Sequence, residues 1–148
     1  MMDSELARKI GEEYRTLQEI EARLREVLAS QEAPAEWIRR TSAAFEHLRA
    51  HLVRLFALEE TQGCHAAIVE QRPEKEPEVE RFHDEHRAIM ARADSLMLSL
   101  RSASAAEPPT VADLRNAIND LLGTVRRHEA NESQLVQLIF SQDVSVND

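Results

Sequence analysis

Apolar residues recur every three or four positions along four long stretches of this chain, and turn-forming residues separate the stretches. In the first, Leu6, Ile10, Leu17, Leu24 and Leu28 share one face of a helix over about residues 4–30, with Asp3 or Ser4 as its cap. The segment SQEAPAE breaks that pattern. Pro34 suits the first turn of a second helix, about 35–61, which carries Trp37, Phe45, Leu48, Leu52, Leu55 and Phe56 and has Gly63 as its stop. A short helical piece, CHAAIVEQ, follows before Pro73. The third helix, about 76–103, presents Val79, Phe82, Ile89, Met90, Ala93 and Met97 and ends at SAAEPPT. Thr110 and Asp113 then resemble a capping box with a shortened acid. They head a fourth helix, about 110–140, lined by Leu114, Ile118, Leu121, Leu122, Val125, Leu135 and Ile139. Helical periodicity throughout and short connections predict an all-α fold, an up-down-up-down four-helix bundle, as a single domain over residues 1–148.

Several polar residues stand on these stripes where core residues belong. On the second helix the stripe through Leu52, Leu55 and Phe56 continues to Glu59. On the third, His86 is central, between Phe82 and the pair Ile89 and Met90. On the fourth, His128 and Glu132 stand at i and i+4 on the line through Leu121, Val125, Leu135 and Ile139. The first helix offers Tyr14 and Glu13 near its seam.

Taken singly, each has a simple structural explanation. A lone inward histidine is most often a satisfied core or boundary residue, an inward glutamate a rim residue that reaches for solvent, and Tyr14 an amphipathic core residue. His47, His51, His65 and His83 read as solvated. Two histidines and two glutamates facing one axis from three helices carry a different meaning together. An ionised carboxylate in a core costs several kcal/mol, on the order of a buried unpaired charge, unless something compensates it. A divalent cation would neutralise Glu59 and Glu132 and use His86 and His128 as further ligands, which is how metal sites are built inside helical bundles. Tyr14 and Glu60 are weaker candidates. Imidazole with carboxylate suits iron, manganese or zinc.

Charge narrows the partners. A net charge of −9 argues against nucleic acid and against an anionic membrane surface. A single cysteine, Cys64, cannot form an internal disulfide and points to a reducing compartment. The N-terminal MMDSELARKI lacks the basic and apolar regions of a signal peptide, and no apolar run reaches spanning length, so a cytoplasmic protein is expected.

From about residue 6 to about 140 the chain resembles the hemerythrin-like (HHE cation-binding) family. LRAHLVRLFALEE is similar to that family's His-Phe-x-x-Glu-Glu stretch, DEHRAIM to its third-helix Glu-His segment, and RRHEANESQL to its fourth-helix His-x-x-x-Glu. GEEYRTLQ stands where the family has Glu-His. The resemblance implies a four-helix bundle around a non-haem di-iron centre, with Glu59 and Glu132 as bridging carboxylates and His86 and His128 as terminal ligands. Two positions depart: Tyr14 replaces the first-helix histidine and Leu55 the second-helix histidine. Phe82 stands where oxygen-carrying members have a further histidine. Both missing histidines serve the same iron, so the resemblance implies a reduced site with one ion.

That reduced site implies sensing, storage or regulation, with a metal ion or a small diatomic molecule as ligand, rather than oxygen carriage. The alternative is a metal-free interaction or scaffold bundle descended from metal binders. An enzyme ranks behind both. The sequence shows no Gly-rich phosphate loop, no nucleophile–base pair and no dedicated substrate pocket.

Overall fold

Every element in the computed structural model is helical, which the sequence's helix-forming composition and 3.6-residue periodicity require. The structure describes residues 4–103 and 110–147, with side chains described for 5–103 and 110–139. The expected cap at Asp3 or at the Ser4 side chain, and most of the SAAEPPT break, lie outside these residues. The elements are α1 (Ser4–Leu28), α2 (Pro34–Thr61), α3 (Cys64–Gln71), a 3-10 turn (Pro73–Lys75), α4 (Glu76–Ser102) and α5 (Val111–Asn147). The last helix runs beyond the expected stop near residue 140, and no described residue forms a strand. Among the described residues no helix is long and apolar enough to cross a membrane.

Local signals account for the element ends. Thr110 N–H donates to Asp113 Oδ2 (3.2 Å) and Asp113 N–H donates back to Thr110 Oγ1 (3.1 Å), the reciprocal box that satisfies the first orphan donors of α5. Pro34 opens α2, and Glu36 lies in the same first turn, where a carboxylate complements the helix dipole. At the other end of α2 the chain turns through Gly63 at φ 99°, a left-handed conformation that costs a side-chain-bearing residue but not glycine. That turn launches α3 back across the end of the helices.

The orphan C-terminal carbonyl of α1 is also answered. Leu28 O accepts from Trp37 Nε1–H (3.2 Å) and from Arg115 Nε–H (2.8 Å), and the Arg115 guanidinium lies over the Trp37 ring, 5.5 Å from its centroid. One carbonyl thereby ties α1, α2 and α5 together at that end.

Apolar packing divides into two clusters. The larger draws Leu17, Leu24, Phe45, Leu52, Ile89 and Leu121, among others, from all four long helices. The smaller gathers Ile10, Leu58, Ile68, Phe82, Leu135 and Ile139, with α3 closing it. Each long helix crosses from one cluster to the other. On α2 the crossing falls between Phe56 and Leu58, next to Glu59, on α4 at His86, and on α5 between Val125 and Leu135, where His128 and Glu132 stand. A polar layer therefore separates two dry layers, and Tyr14 packs against both.

Candidate metal centre

Five side chains form the polar layer: Glu59 from α2, His65 from α3, His86 from α4, and His128 and Glu132 from α5. All are buried, with exposures of 0, 2, 2, 4 and 1 % in that order. The i, i+4 spacing on α5 stacks His128 over Glu132, and His128 Nε2 lies 3.0 Å from Glu132 Oε1. Glu132 Oε2 lies 2.9 Å from His65 Nε2 and 3.0 Å from His86 Nε2. Three imidazoles on three helices thus aim the same ring nitrogen at one carboxylate. Glu59 faces them from α2, with Oε1 3.8 Å from His86 Nε2 and Oε2 4.0 Å from His65 Nε2.

The opposite nitrogen of each ring is held from outside. His86 Nδ1–H donates to Glu60 Oε2 (2.7 Å) and His128 Nδ1–H to Glu85 Oε1 (2.6 Å), while His65 Nδ1 pairs with His83 Nε2 (2.7 Å). This is the outer-shell pattern that fixes ring orientation and leaves the inner nitrogen for a metal. Glu60 therefore lies behind His86 rather than inside the layer. Aromatic rings fix the imidazoles further. Phe56 stacks face to face on His86, with centroids 3.8 Å apart and planes 9° apart, and Phe82 meets His128 edge-on at 5.6 Å. Tyr14 O–H donates to Glu59 Oε2 (2.9 Å) from α1.

Electrostatics divides the two inner carboxylates. Burial and then the charge of Glu132 push Glu59 well above the ordinary carboxyl range. Burial would raise Glu132 too, but contacts from His128, His65, His86 and Glu59 outweigh it and hold Glu132 well below that range. A proton therefore resides on Glu59 and the anion on Glu132. Burial lowers the proton affinity of His128, and the flanking Glu132 and Glu85 carboxylates more than offset it, so its pKa is raised. Tyr14 is kept protonated by burial and by the neighbouring Glu59 and Glu132. Glu59 Oε1 and His128 Nε2 are buried without a properly aligned hydrogen-bond partner, a deficit that a cation between them would remove.

Among the described residues, two overlapping groups have ligand atoms within 4.8 Å of one another: His86, His128 and Glu132, and Glu59, His65 and Glu132. The four residues singled out from the sequence, Glu59, His86, His128 and Glu132, do come together, with Tyr14 at their edge. Leu55 is a core residue, exposed by only 1 %.

Three of the expectations need correction. His65, expected in solvent, is buried inside the layer, because the Gly63 turn folds α3 over the ends of α4 and α5. Its helix has eight residues, too few for apolar periodicity to reveal a face. His51, also expected in solvent, is 4 % exposed and its Nε2–H donates to the Glu13 carbonyl (2.9 Å), because α1 packs over that edge of α2. His83 is half-buried against His65, whereas His47 is exposed as expected.

Comparison with protein-family models, with curated proteins and with solved structures finds no match to this chain.

Proposed function

We propose that the chain is a hemerythrin-like four-helix bundle that binds non-haem metal, iron first among the candidates, and acts in sensing, storage or regulation rather than in oxygen carriage. The observation that carries the reading is the convergence of three buried imidazole Nε2 atoms on Glu132, each ring held from behind at Nδ1. Structural ion-pair networks rarely need three neutralisable rings around one carboxylate, and metal sites do. Iron, manganese and zinc all accept this nitrogen–oxygen donor set.

From sequence a single ion is the expectation, since two of the resembled family's histidines are lost. His65 alters that count. It adds a third imidazole, so that Glu132 is shared by two ligand groups, His86 with His128 on one side and His65 with Glu59 on the other. Three imidazoles and two carboxylates would be enough donors to hold two ions rather than one. A bound cation would need Glu59 as the carboxylate and the inner nitrogens of the rings unprotonated, so its affinity would rise with pH. The chain's own residues supply orientation through Glu60, Glu85 and His83 and exclusion of water through Phe56 and Phe82. A bound ion would supply Lewis acidity and, for iron, redox chemistry.

The competing reading is a metal-free scaffold. It is favoured by the closure of Glu132 with His65 and His86 at hydrogen-bond distance, but it leaves Glu59 Oε1 and His128 Nε2 without aligned partners. Metal analysis of protein purified without chelator, alongside His65→Ala and His86→Ala, separates the two. Near two ions per chain are expected, falling to about one in His65→Ala. Wild-type protein that takes up no iron, manganese or zinc overturns the metal reading.

A further inference from the structure

We propose that the acidic cavity between α3 and α4 is the port through which divalent cations reach the buried centre, with His83 and Glu60 handing the ion inward. The proposal rests on the metal reading above. The cavity measures about 530 Å³ and is lined by Glu60, Glu70, Glu76, Glu80, His65 and His83. Three of those residues, His65, Glu60 and His83, belong to the centre or its support. His65 is a buried inner ligand whose outer nitrogen faces His83, and Glu60 holds the outer nitrogen of His86. The path from solvent to the polar layer is therefore one side chain deep.

Charge distinguishes this cavity from two others that touch the layer. The cleft between α1 and α5, reaching Tyr14, sets Arg25 and Arg126 beside Glu21 and Glu129, so it is not lined by negative charge alone. The cleft between α4 and α5, reaching His128, carries Arg92 and Arg127 beside Glu85. No arginine or lysine lines the α3–α4 cavity, and among the described residues Glu70, Glu76 and Glu80 are paired with no cationic side chain. A concave surface lined by one sign of charge focuses the field and raises the local concentration of the opposite ion. A cation is drawn to this mouth and repelled by the arginine-lined one.

The inner end offers ligands in sequence. His83 is half-buried, with Nδ1 3.9 Å from Glu60 Oε1 and Nε2 2.7 Å from His65 Nδ1. An ion held first between His83 and Glu60 displaces no core residue. Rotation of these two side chains, together with the His65 and His86 rings they touch, carries it to the inner nitrogens.

The test is stopped-flow uptake of Co²⁺, read by its visible absorption, in metal-free full-length protein. Glu70→Gln/Glu76→Gln/Glu80→Gln removes three exposed charges that touch neither the layer nor its supports. A control, Glu19→Gln/Glu26→Gln/Glu46→Gln, removes three exposed charges elsewhere and changes net charge equally. The port variant is expected to load roughly tenfold more slowly at low salt, the scale of electrostatic focusing. The deficit should vanish near 1 M salt, where the screening length falls to about 3 Å. The final absorbance of the variant should equal wild type, and the control should load at nearly the wild-type rate.

Ala66→Trp, at an exposed lining position, is expected to slow uptake sterically with no change of charge. Equal loading rates in the port and control variants overturn the port and leave the centre standing. Wild-type protein with no absorbance at saturating Co²⁺ overturns the centre, and the port with it.

Discussion

Replacing each of the two inner carboxylates by its amide should have opposite consequences in metal-free protein, although the changes are isosteric and adjacent. Glu132 is the anion of the layer, with imidazole nitrogens 2.9, 3.0 and 3.0 Å away. Glu132→Gln removes the charge that three buried rings face and turns an N–H₂ group toward one of them. Breaking a buried pair in this way costs about 3–5 kcal/mol. For a chain of this size each kcal/mol shifts the melting temperature by roughly 2–4 °C, so a loss of about 6–20 °C is expected. Burial and the Glu132 charge favour the neutral form of Glu59, and an amide reproduces that form while keeping an acceptor for Tyr14 O–H. Glu59→Gln should therefore change stability by less than about 1 kcal/mol in chelator, the span of a single net hydrogen bond.

With metal present the order changes. Wild type gains RT ln(1 + [M]/Kd), about 2.7 kcal/mol at a hundredfold excess over Kd, and each amide variant loses most of that increment. The assay is urea denaturation followed by circular dichroism at 222 nm, with chelator and with Zn²⁺ or Fe²⁺. The reasoning fails if Glu59→Gln in chelator is as damaging as Glu132→Gln, or if wild-type stability is the same with metal and without it.

Three further outcomes are expected. Glu129 and Glu21 approach one another between α5 and α1, and burial with the Glu21 charge pushes the Glu129 carboxyl up to about 8. The folded state then keeps a proton that the unfolded chain releases, so stability falls as pH rises from the ordinary carboxyl range to about 8. Glu129→Gln should flatten that fall in melting curves taken from pH 5 to 9 in chelator. Thr110→Ala removes the reciprocal cap of α5 and should cost about 1 kcal/mol in urea denaturation, with metal uptake unchanged. Trp37→Phe keeps the buried ring but deletes the donor to Leu28 O, which retains Arg115, so a loss of about 1 kcal/mol or less is expected in the same measurement.

The helices and much of the polar layer could be read from spacing alone, because both depend on a single helix at a time. Whether Glu59 shares a face with Leu52 and Phe56, or Glu132 with His128, follows from 3.6 residues per turn and needs no neighbour. The capping box at Thr110 and the glycine at position 63 are equally local, being properties of a few consecutive residues. What the spacing could not supply is anything that depends on which surfaces meet. His65 lies on an eight-residue helix with no period to betray its inner face, and only the Gly63 turn laying α3 across α4 and α5 brings it to Glu132. His51 stood at the edge of its stripe, and the close packing of α1 decided that the edge is covered. Glu60 and Glu85 follow the same logic from outside, holding Nδ1 of rings on other helices. The sequence by itself determined the central inward stripe of each long helix. Tertiary packing decided how many imidazoles surround Glu132 and which carboxylate keeps the proton, because burial and charge proximity arise only once separate helices share one interior.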